Sequence, residues 1–417
     1  MKAVSFIGLN RYEFSRYVYD GKTCETNLFP HAVSSFFKPD KILICLTKES
    51  EKAPLNNPFF IKDETGAMLE NYLDSAIKIH KLSATEFRDC TYFGQLKQIN
   101  EEKGLVEPQK VLIKSGENEN ELWEIFEKIA GSLNEGDEVV FDITHAFRSI
   151  PILAFLVIAF LRETKGIKVH KVIYGAFDAK NGATNEVPVF DLTPFVELLD
   201  WMSATKQFKT TGNANFLVTL LENKGFNSLA DKISSLSEGL RLLRPNQVMQ
   251  DSAELPTEIT NVKTKISASS KPFAELISSV EKRYEKFSLL GGASEKNRLE
   301  KELALAKWYF DNGMMIHAVL LIREWLSSLI CFLVKLDPYV RENREKSEKL
   351  LSGRKLQIGG RSYQLKNFTN GKQLQKSWNE IADIRNDLSH TGYREKPKSY
   401  SEIKQKVENI FNQYIKQ

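Results

Sequence analysis

The 417-residue chain predicts two folds in series: a Rossmann-like α/β half built on a parallel sheet, then an all-α half. Three observations carry this expectation. Up to Pro194, short apolar runs alternate with amphipathic stretches, the pattern of strands buried on both faces and covered by helices. From Pro194 onward the strand signal fades and helical periodicity remains. A content of 42% hydrophobic and 27% charged residues is that of a globular chain with room for two or three domains.

In the first half, residues 3–9 and Lys41–Leu46 read as strands, with a short helix over Phe29–Phe37 between them. Gly66–Ile79 is helical in pattern. Val111–Lys114 is strand-like. Glu119–Leu133 is an amphipathic helix through Leu122, Ile125, Phe126, Ile129 and Leu133. Then come a strand over Glu138–Ile143, a helix over Ile150–Thr164 and a strand over Val169–Gly175. In the second half, Trp201–Leu221 and Phe226–Leu243 read as helices and Pro245–Pro256 as a loop. Helical patterns follow over Phe273–Phe287, Glu295–Phe310, Met314–Leu336, Lys372–His390 and Ser401–Ile415. The apolar flanks around Gly359-Gly360 suggest a small hairpin over 355–365.

A net charge of +4 is too mild for a nonspecific polyanion binder, so any nucleic-acid contact must come from a local cluster. Cys24, Cys45, Cys90 and Cys331 are widely spaced and form no CxxC. Cys45 lies in an apolar strand and Cys331 in an apolar helix, where reduced core thiols are the expectation. There is no signal-peptide pattern at the start. The apolar block Ile150–Leu161 is short of the roughly 20 residues a membrane span needs. A cytoplasmic protein with no membrane partner is expected.

In parallel sheets, ligands bind beyond the carboxyl ends of the strands. Three segments fall there: Gly8-Leu9-Asn10-Arg11-Tyr12, Asp142-Ile143-Thr144-His145-Ala146-Phe147-Arg148, and Gly175-Ala176-Phe177. No GxGxxG or P-loop occurs, so dinucleotide binding and ATP hydrolysis are disfavoured. A Thr, a His and an Arg just ahead of a helix N-terminus can build a phosphate or nucleobase pocket. Helix capping accounts for Ser149 and Pro151. It does not account for the clustering of Thr144, His145 and Arg148.

Near the C-terminus, Leu374, Trp378, Ile381, Ile384 and Leu388 mark the buried face of one helix. Arg385 and His390, five apart, sit about 140° apart on an ideal helix and reach a shared edge near its end. An imidazole there can move a proton on or off an RNA 2′-hydroxyl or leaving oxygen, and a guanidinium can neutralise charge on the phosphorane. No metal ligand set is required. Alone, the spacing fits a surface Arg and a helix-terminal His favoured by the macrodipole equally well. Arg323 and Glu324 interrupt an otherwise apolar helix. A salt bridge to a neighbouring helix is the default for such charges; the functional option is that Glu324 orients Arg385.

Both halves together resemble the CRISPR-associated CARF–HEPN ribonucleases of type III systems. The opening Ser5-Phe6-Ile7-Gly8-Leu9-Asn10 and the later Lys38-Pro39-Asp40-Lys41-Ile42 look like the start of one CARF branch. Asp142 to Arg148 resembles that branch's D-[IL]-T-H-[GA]-[FL]-R signature, with Ala146 where Gly is commoner, and Tyr174-Gly175-Ala176 resembles its next strand end. Arg385-Asn386-(x)3-His390 matches the HEPN R-N-x-x-x-H pattern.

The resemblance implies a CARF ligand-sensing domain over 1–200, a helical linker over 201–300 and a HEPN ribonuclease domain over 301–417. It implies a homodimer through both domains, with higher oligomers open. The allosteric activator would be a cyclic oligoadenylate, with cyclic tetra-adenylate the expectation, bound by Leu9, Asn10, Thr144, His145, Arg148, Gly175 and Phe177. Arg385, Asn386 and His390 would cleave single-stranded RNA without metal or other cofactor, leaving a 2′,3′-cyclic phosphate and a 5′-hydroxyl. Arg323 and Glu324 would support them. The alternatives are a sensor that only recruits a partner and a sensor that also degrades its cyclic ligand.

Overall fold

The computed structural model describes residues 1–9, 12–52, 91–145, 150–269, 271–391, 393 and 395–415. The chain divides into two compact units, Met1–Leu199 and Asp200–Gln417.

The first unit is an α/β domain. Its strands are β1 (Lys2–Ile7), β2 (Ser15–Tyr19), β3 (Lys22–Thr26), β4 (Lys41–Leu46), β5 (Pro108–Leu112), β6 (Glu138–Asp142), β7 (Lys168–Gly175) and β8 (Glu186–Asp191). They form one eight-stranded sheet in the order β3-β2-β8-β7-β6-β1-β4-β5. Its helices are α1 (Phe29–Phe37), α2 (Lys48–Lys52), α3 (Tyr92–Glu102), α4 (Glu119–Gly131) and α5 (Ile150–Lys165). β1 pairs in parallel with both β4 and β6. From this central strand Ala3 and Ile7 pack into one core layer with Phe29, Ala32 and Val33. Val4 and Phe6 pack into the other with Ile125, Ile129 and Val157. Each layer removes a row of aliphatic side chains from water, and that burial dominates the stability of such sheets.

The sheet is mixed, not wholly parallel. β2 and β3 run antiparallel, as do β7 and β8. The first pair is closed by Asp20 and Gly21, both with positive φ, the conformation of a two-residue hairpin whose twist matches its strands. β2, β3, α2, α3 and β8 add to the elements expected from periodicity. The helix expected over Gly66–Ile79 lies outside the described residues, as does Cys90. Cys24, Cys45 and Cys331 are free and buried; burial pushes the Cys45 thiol up to about 12, which leaves it unreactive.

The second unit is helical. α6 (Thr193–Thr211) enters it and is followed by α7 (Asn215–Asn223), α8 (Asn227–Arg241), α9 (Pro245–Ser269), α10 (Lys271–Tyr284), α11 (Glu295–Asp311), α12 (Met315–Val334), α13 (Arg341–Leu351), α14 (Gly371–Ser389) and α15 (Tyr400–Tyr414). Two expectations are corrected here. The single helix expected over 201–221 is two, because the chain turns at Gly212 with φ +73°. The loop expected over Pro245–Pro256 is the first half of α9. Pro245 stands at its first position, where a missing N–H costs nothing. Pro256 is carried inside it because Val248, Met249, Leu255 and Ile259 are buried, and tertiary packing overrides the local penalty.

Helix-to-helix hydrogen bonds lock this bundle. Tyr284 Oη donates to the Phe208 carbonyl at 2.6 Å, and Trp325 Nε1 donates to the Leu299 carbonyl at 2.9 Å. Arg298 is buried against Glu302 and also holds Glu295 at 2.7 Å. α12 is long and apolar enough to cross a membrane, and 56% of its apolar stretch is buried. The hairpin β9 (Leu356–Ile358) and β10 (Arg361–Tyr363) lies within the expected range.

Gly175 offers the sharpest test of this packing. A Cβ there would come within 2.8 Å of the Phe29 ring and 3.1 Å of the Tyr17 ring, closer than carbon atoms tolerate. Gly175→Ala should therefore destabilise the first unit by about 1–3 kcal/mol, seen as a lower urea midpoint with an unchanged slope. A wild-type midpoint would contradict the packing.

Candidate functional site

At the carboxyl end of β6 the carboxylate of Asp142 is fully buried. The Ser5 hydroxyl on β1 donates to its Oδ2. Its Oδ1 accepts the Thr144 main-chain N–H at 2.7 Å, and the Thr144 hydroxyl accepts the Gly175 N–H at 2.8 Å. One chain of hydrogen bonds thus joins the ends of β1, β6 and β7. Desolvation pushes the Asp142 carboxyl up to about 6, against the downward pull of the Ser5 and Thr144 donors; a buried charge is affordable only with such partners.

The loop after β1 is joined to the loop after β6 by rings. Tyr12 is buried, and its hydroxyl accepts the Gly8 N–H at 2.6 Å. Its ring stands 4.1 Å from the His145 imidazole and 4.8 Å from Tyr92, centroid to centroid. His145 Nε2 faces the Phe29 N–H at 3.5 Å. Burial among these rings lowers the imidazole to about 3. His145 is therefore neutral at physiological pH. It can stack or hydrogen-bond, but it offers a phosphate no positive charge.

The described parts of the three segments expected to form a pocket are thus brought together beyond the carboxyl ends of the neighbouring strands β1, β6 and β7. Leu9, 40% exposed, and Phe177, 38% exposed with Lys180 Nζ over its ring at 5.0 Å, remain open to solvent. Gly175 is buried and serves the packing and the Thr144 bond. Asn10 and Arg148 lie outside the described residues. Sequence reasoning passed over Ser5, Tyr12 and Asp142 as site residues. The signal for Asp142 was a carboxylate ending an apolar strand, a placement that demands partners.

In the helical unit, α14 presents the second constellation. Its apolar face, Leu374, Trp378, Ile381 and Ile384, is buried. Arg385 is half-buried, and its Nη1 donates to Asn386 Oδ1 at 3.0 Å, which fixes the guanidinium. His390 caps the helix, with its N–H donating to the Asn386 carbonyl at 3.2 Å and its side chain exposed. The chain then returns: the Lys398 N–H donates to Asp387 Oδ2 at 3.2 Å, and Lys398 Nζ pairs with Asp383 at 2.7 Å. Asp383, Asp387 and Lys398 carried no recognisable motif signal. Among the described residues, no group of three or more His, Cys, Asp or Glu side chains is placed to hold a metal ion.

Glu324 does not orient Arg385. It pairs with Arg323 and with Arg344 of α13. Arg323 in turn pairs with Glu348 at 2.9 Å and lies over the Trp378 ring at 5.1 Å. The physical reason is proximity: α13 supplies the opposite charges that α12 needs along that side. Arg323 therefore steadies α14 two turns before Arg385 and touches no described atom of the Arg385–His390 pair.

Residues 2–178 match the family model for the CARF domain of the CRISPR system endoribonuclease Csx1. Residues 197–295 match the model for the second domain of the CRISPR-associated protein MJ1674. The MJ1674 protein of Methanocaldococcus jannaschii is 28% identical over 290 residues, 68% of this chain and 42% of its own length, so this chain spans less than half of that relative. Among solved structures, Enterococcus italicus Csm6 bound to cyclic hexa-2′-fluoro-hexa-dAMP aligns over 98% of this chain and 91% of its own, with 10% identity and a TM-score of 0.41. Both matched family models end before α14.

The neutral His145 gives a pH test. A group whose folded pKa is depressed below about 6.5 stabilises the fold above that value and loses this contribution as pH falls toward 3. His145→Phe keeps a ring and removes the titration. Relative to wild type it should gain stability as pH falls from 6.5 to 5, by up to about 1.4 kcal/mol per pH unit. Urea unfolding of both proteins across that range checks it, since Asp142 contributes equally to each. A pH-independent difference would mean that the imidazole is solvated.

Proposed function

We propose that this chain, whose residues 2–178 match a CRISPR CARF-domain model, is a cyclic oligoadenylate-activated, metal-independent endoribonuclease of type III CRISPR defence. The functional division we propose is sensing over 1–200, a helical linker over 201–300 and a HEPN nuclease over 301–417. The observation that carries the nuclease is the Arg385–Asn386–His390 set on α14: a guanidinium oriented by a neighbouring amide and an exposed imidazole at the same helix end.

That set supplies what phosphodiester cleavage by an internal nucleophile needs. His390 takes the proton of the 2′-hydroxyl, whose oxygen attacks the adjacent phosphorus. Arg385, with two or more N–H groups free of Asn386, meets the charge growing on the phosphorane. The P–O5′ bond breaks and the 5′-oxygen leaves with a proton, giving a 2′,3′-cyclic phosphate and a 5′-hydroxyl. A second imidazole is best placed to give that proton, so the working cleft is shared by two protomers, one His390 from each. Proton transfer and charge neutralisation are both carried by side chains and ask for no metal.

In the sensing half, the cyclic ligand, tetra-adenylate by resemblance, sits against the joined loops after β1, β6 and β7, at a two-fold axis that lets one loop be read twice. Leu9, Asn10 and Phe177 would line its bases. Thr144 and Arg148 would take phosphate or ribose. His145, being neutral, would contribute packing and a hydrogen bond rather than charge. Activation follows if the ring binds the cleavage-competent dimer more tightly than the resting one. A cytoplasmic location accords with this role.

The test uses the purified chain, single-stranded RNA, and a panel of cyclic oligoadenylates with EDTA or magnesium. Arg385→Ala and His390→Ala should each lower the stimulated rate by about 10²–10⁴-fold while ring affinity, measured by calorimetry, stays within about twofold of wild type. EDTA should change nothing. A requirement for a divalent ion, or full activity in His390→Ala, would refute the mechanism. Ring binding with no RNA cleavage by wild type would instead favour a sensor that recruits a partner.

A further inference from the structure

We propose that Tyr393 is a stacking platform for an RNA base beside the scissile phosphate, an assignment that rests on the nuclease reading of Arg385 and His390. At 90% exposure Tyr393 has the most exposed large aromatic or aliphatic side chain among the described residues. One exposed ring is ordinary on a protein surface. The position of this one is not.

Tyr393 follows His390 by three residues, a contour of about 10 Å. The backbone between them is folded back rather than extended. Thr391 adopts φ +51°, its N–H donates to the Leu388 carbonyl at 3.2 Å, and the Tyr393 N–H donates to the His390 carbonyl at 2.9 Å. The far end of the segment is pinned by Lys398, through its N–H to Asp387 and its Nζ to Asp383. Tyr393 is thus tied through its main-chain N–H to His390, the residue whose imidazole the mechanism uses.

The exposed residues that follow in the chain have the composition of a single-strand binding surface. Lys396 is exposed between the turn and the Lys398 anchor, and Tyr400, 60% exposed, opens α15. Aromatic faces interleaved with cationic side chains bind single-stranded nucleic acid, because every base has a face to stack and every nucleotide a phosphate to neutralise. On this proposal the Tyr393 ring receives the base of a nucleotide adjoining the phosphate that Arg385 and His390 engage.

Tyr393→Ala, Tyr393→Phe and Tyr393→Trp in the full chain test this with two readouts. One is the dependence of initial rate on RNA concentration at saturating cyclic tetra-adenylate. The other is anisotropy binding of a non-cleavable 2′-deoxy oligonucleotide of the same sequence. Tyr393→Ala should raise KM and weaken oligonucleotide binding about tenfold, within the five- to hundredfold range expected of one lost stack. Tyr393→Phe and Tyr393→Trp should stay within about twofold of wild type. An unchanged KM and affinity in Tyr393→Ala overturns the proposal. So does a Tyr393→Phe as impaired as Tyr393→Ala, which would assign the hydroxyl, or a fall in kcat alone, which would assign positioning of His390. If wild type cleaves no RNA but Tyr393→Ala still binds the oligonucleotide more weakly, the nuclease reading fails and the stacking site stands.

Discussion

The buried Asp142 carboxylate is the contact on which the loops of the first unit depend. A carboxylate at the end of an apolar strand must find donors, and it finds them on two different segments: the Ser5 hydroxyl of β1 and the Thr144 amide of the loop after β6. Thr144 passes the constraint to the Gly175 amide at the end of β7. Three adjacent strand ends are thus set in one register by polar groups that cannot be left unpaired. The aromatic side does the same work with dispersion in place of hydrogen bonds. Tyr12, Tyr92, Phe29 and His145 fill the space beneath the loops, and the same burial that orders His145 denies it a proton.

The helical unit meets a similar problem with charge. Arg323 and Glu324 on α12 would be costly alone in an apolar helix. Glu348 and Arg344 on α13 answer them, and the Trp378 face of α14 lies under the Arg323 guanidinium. Such a network adds little net stability, but it fixes the rotation of α14. That rotation leaves Arg385 half-buried beside Asn386 and His390 in solvent, as the proposed roles of charge stabiliser and proton carrier would require.

Much of this was legible in the residues themselves. Strands apolar on both faces named the α/β half, and the i, i+3, i+4 stripe of α14 named its buried side. The seven-residue segment from Asp142 to Arg148 marked the family that residues 2–178 match. What escaped was of two kinds. Tyr19-Asp20-Gly21-Lys22 held a hairpin signal, but it sits among polar residues with weak alternation, so β2 and β3 went unread. Pro245 and Pro256 signalled a loop because local propensity is visible in sequence and the burial of Leu255 and Ile259 is not. Roles suffered in the same way. His145 has the residue type of a phosphate ligand, and only the surrounding rings reveal it as neutral. Glu324 has the type of an Arg385 partner, and only the fold reveals Arg344 as its actual one.

The proposed function couples ligand binding in one unit to RNA cleavage in the other, and hydrogen–deuterium exchange with and without cyclic tetra-adenylate tests that link most directly. Ligand should slow exchange across residues 8–12 and 142–148, and should also change exchange across residues 385–398 of the second unit. Protection of the first two segments with no change in the third would contradict the coupling. Protection elsewhere, with residues 8–12 and 142–148 unaffected, would contradict the placement of the ligand itself.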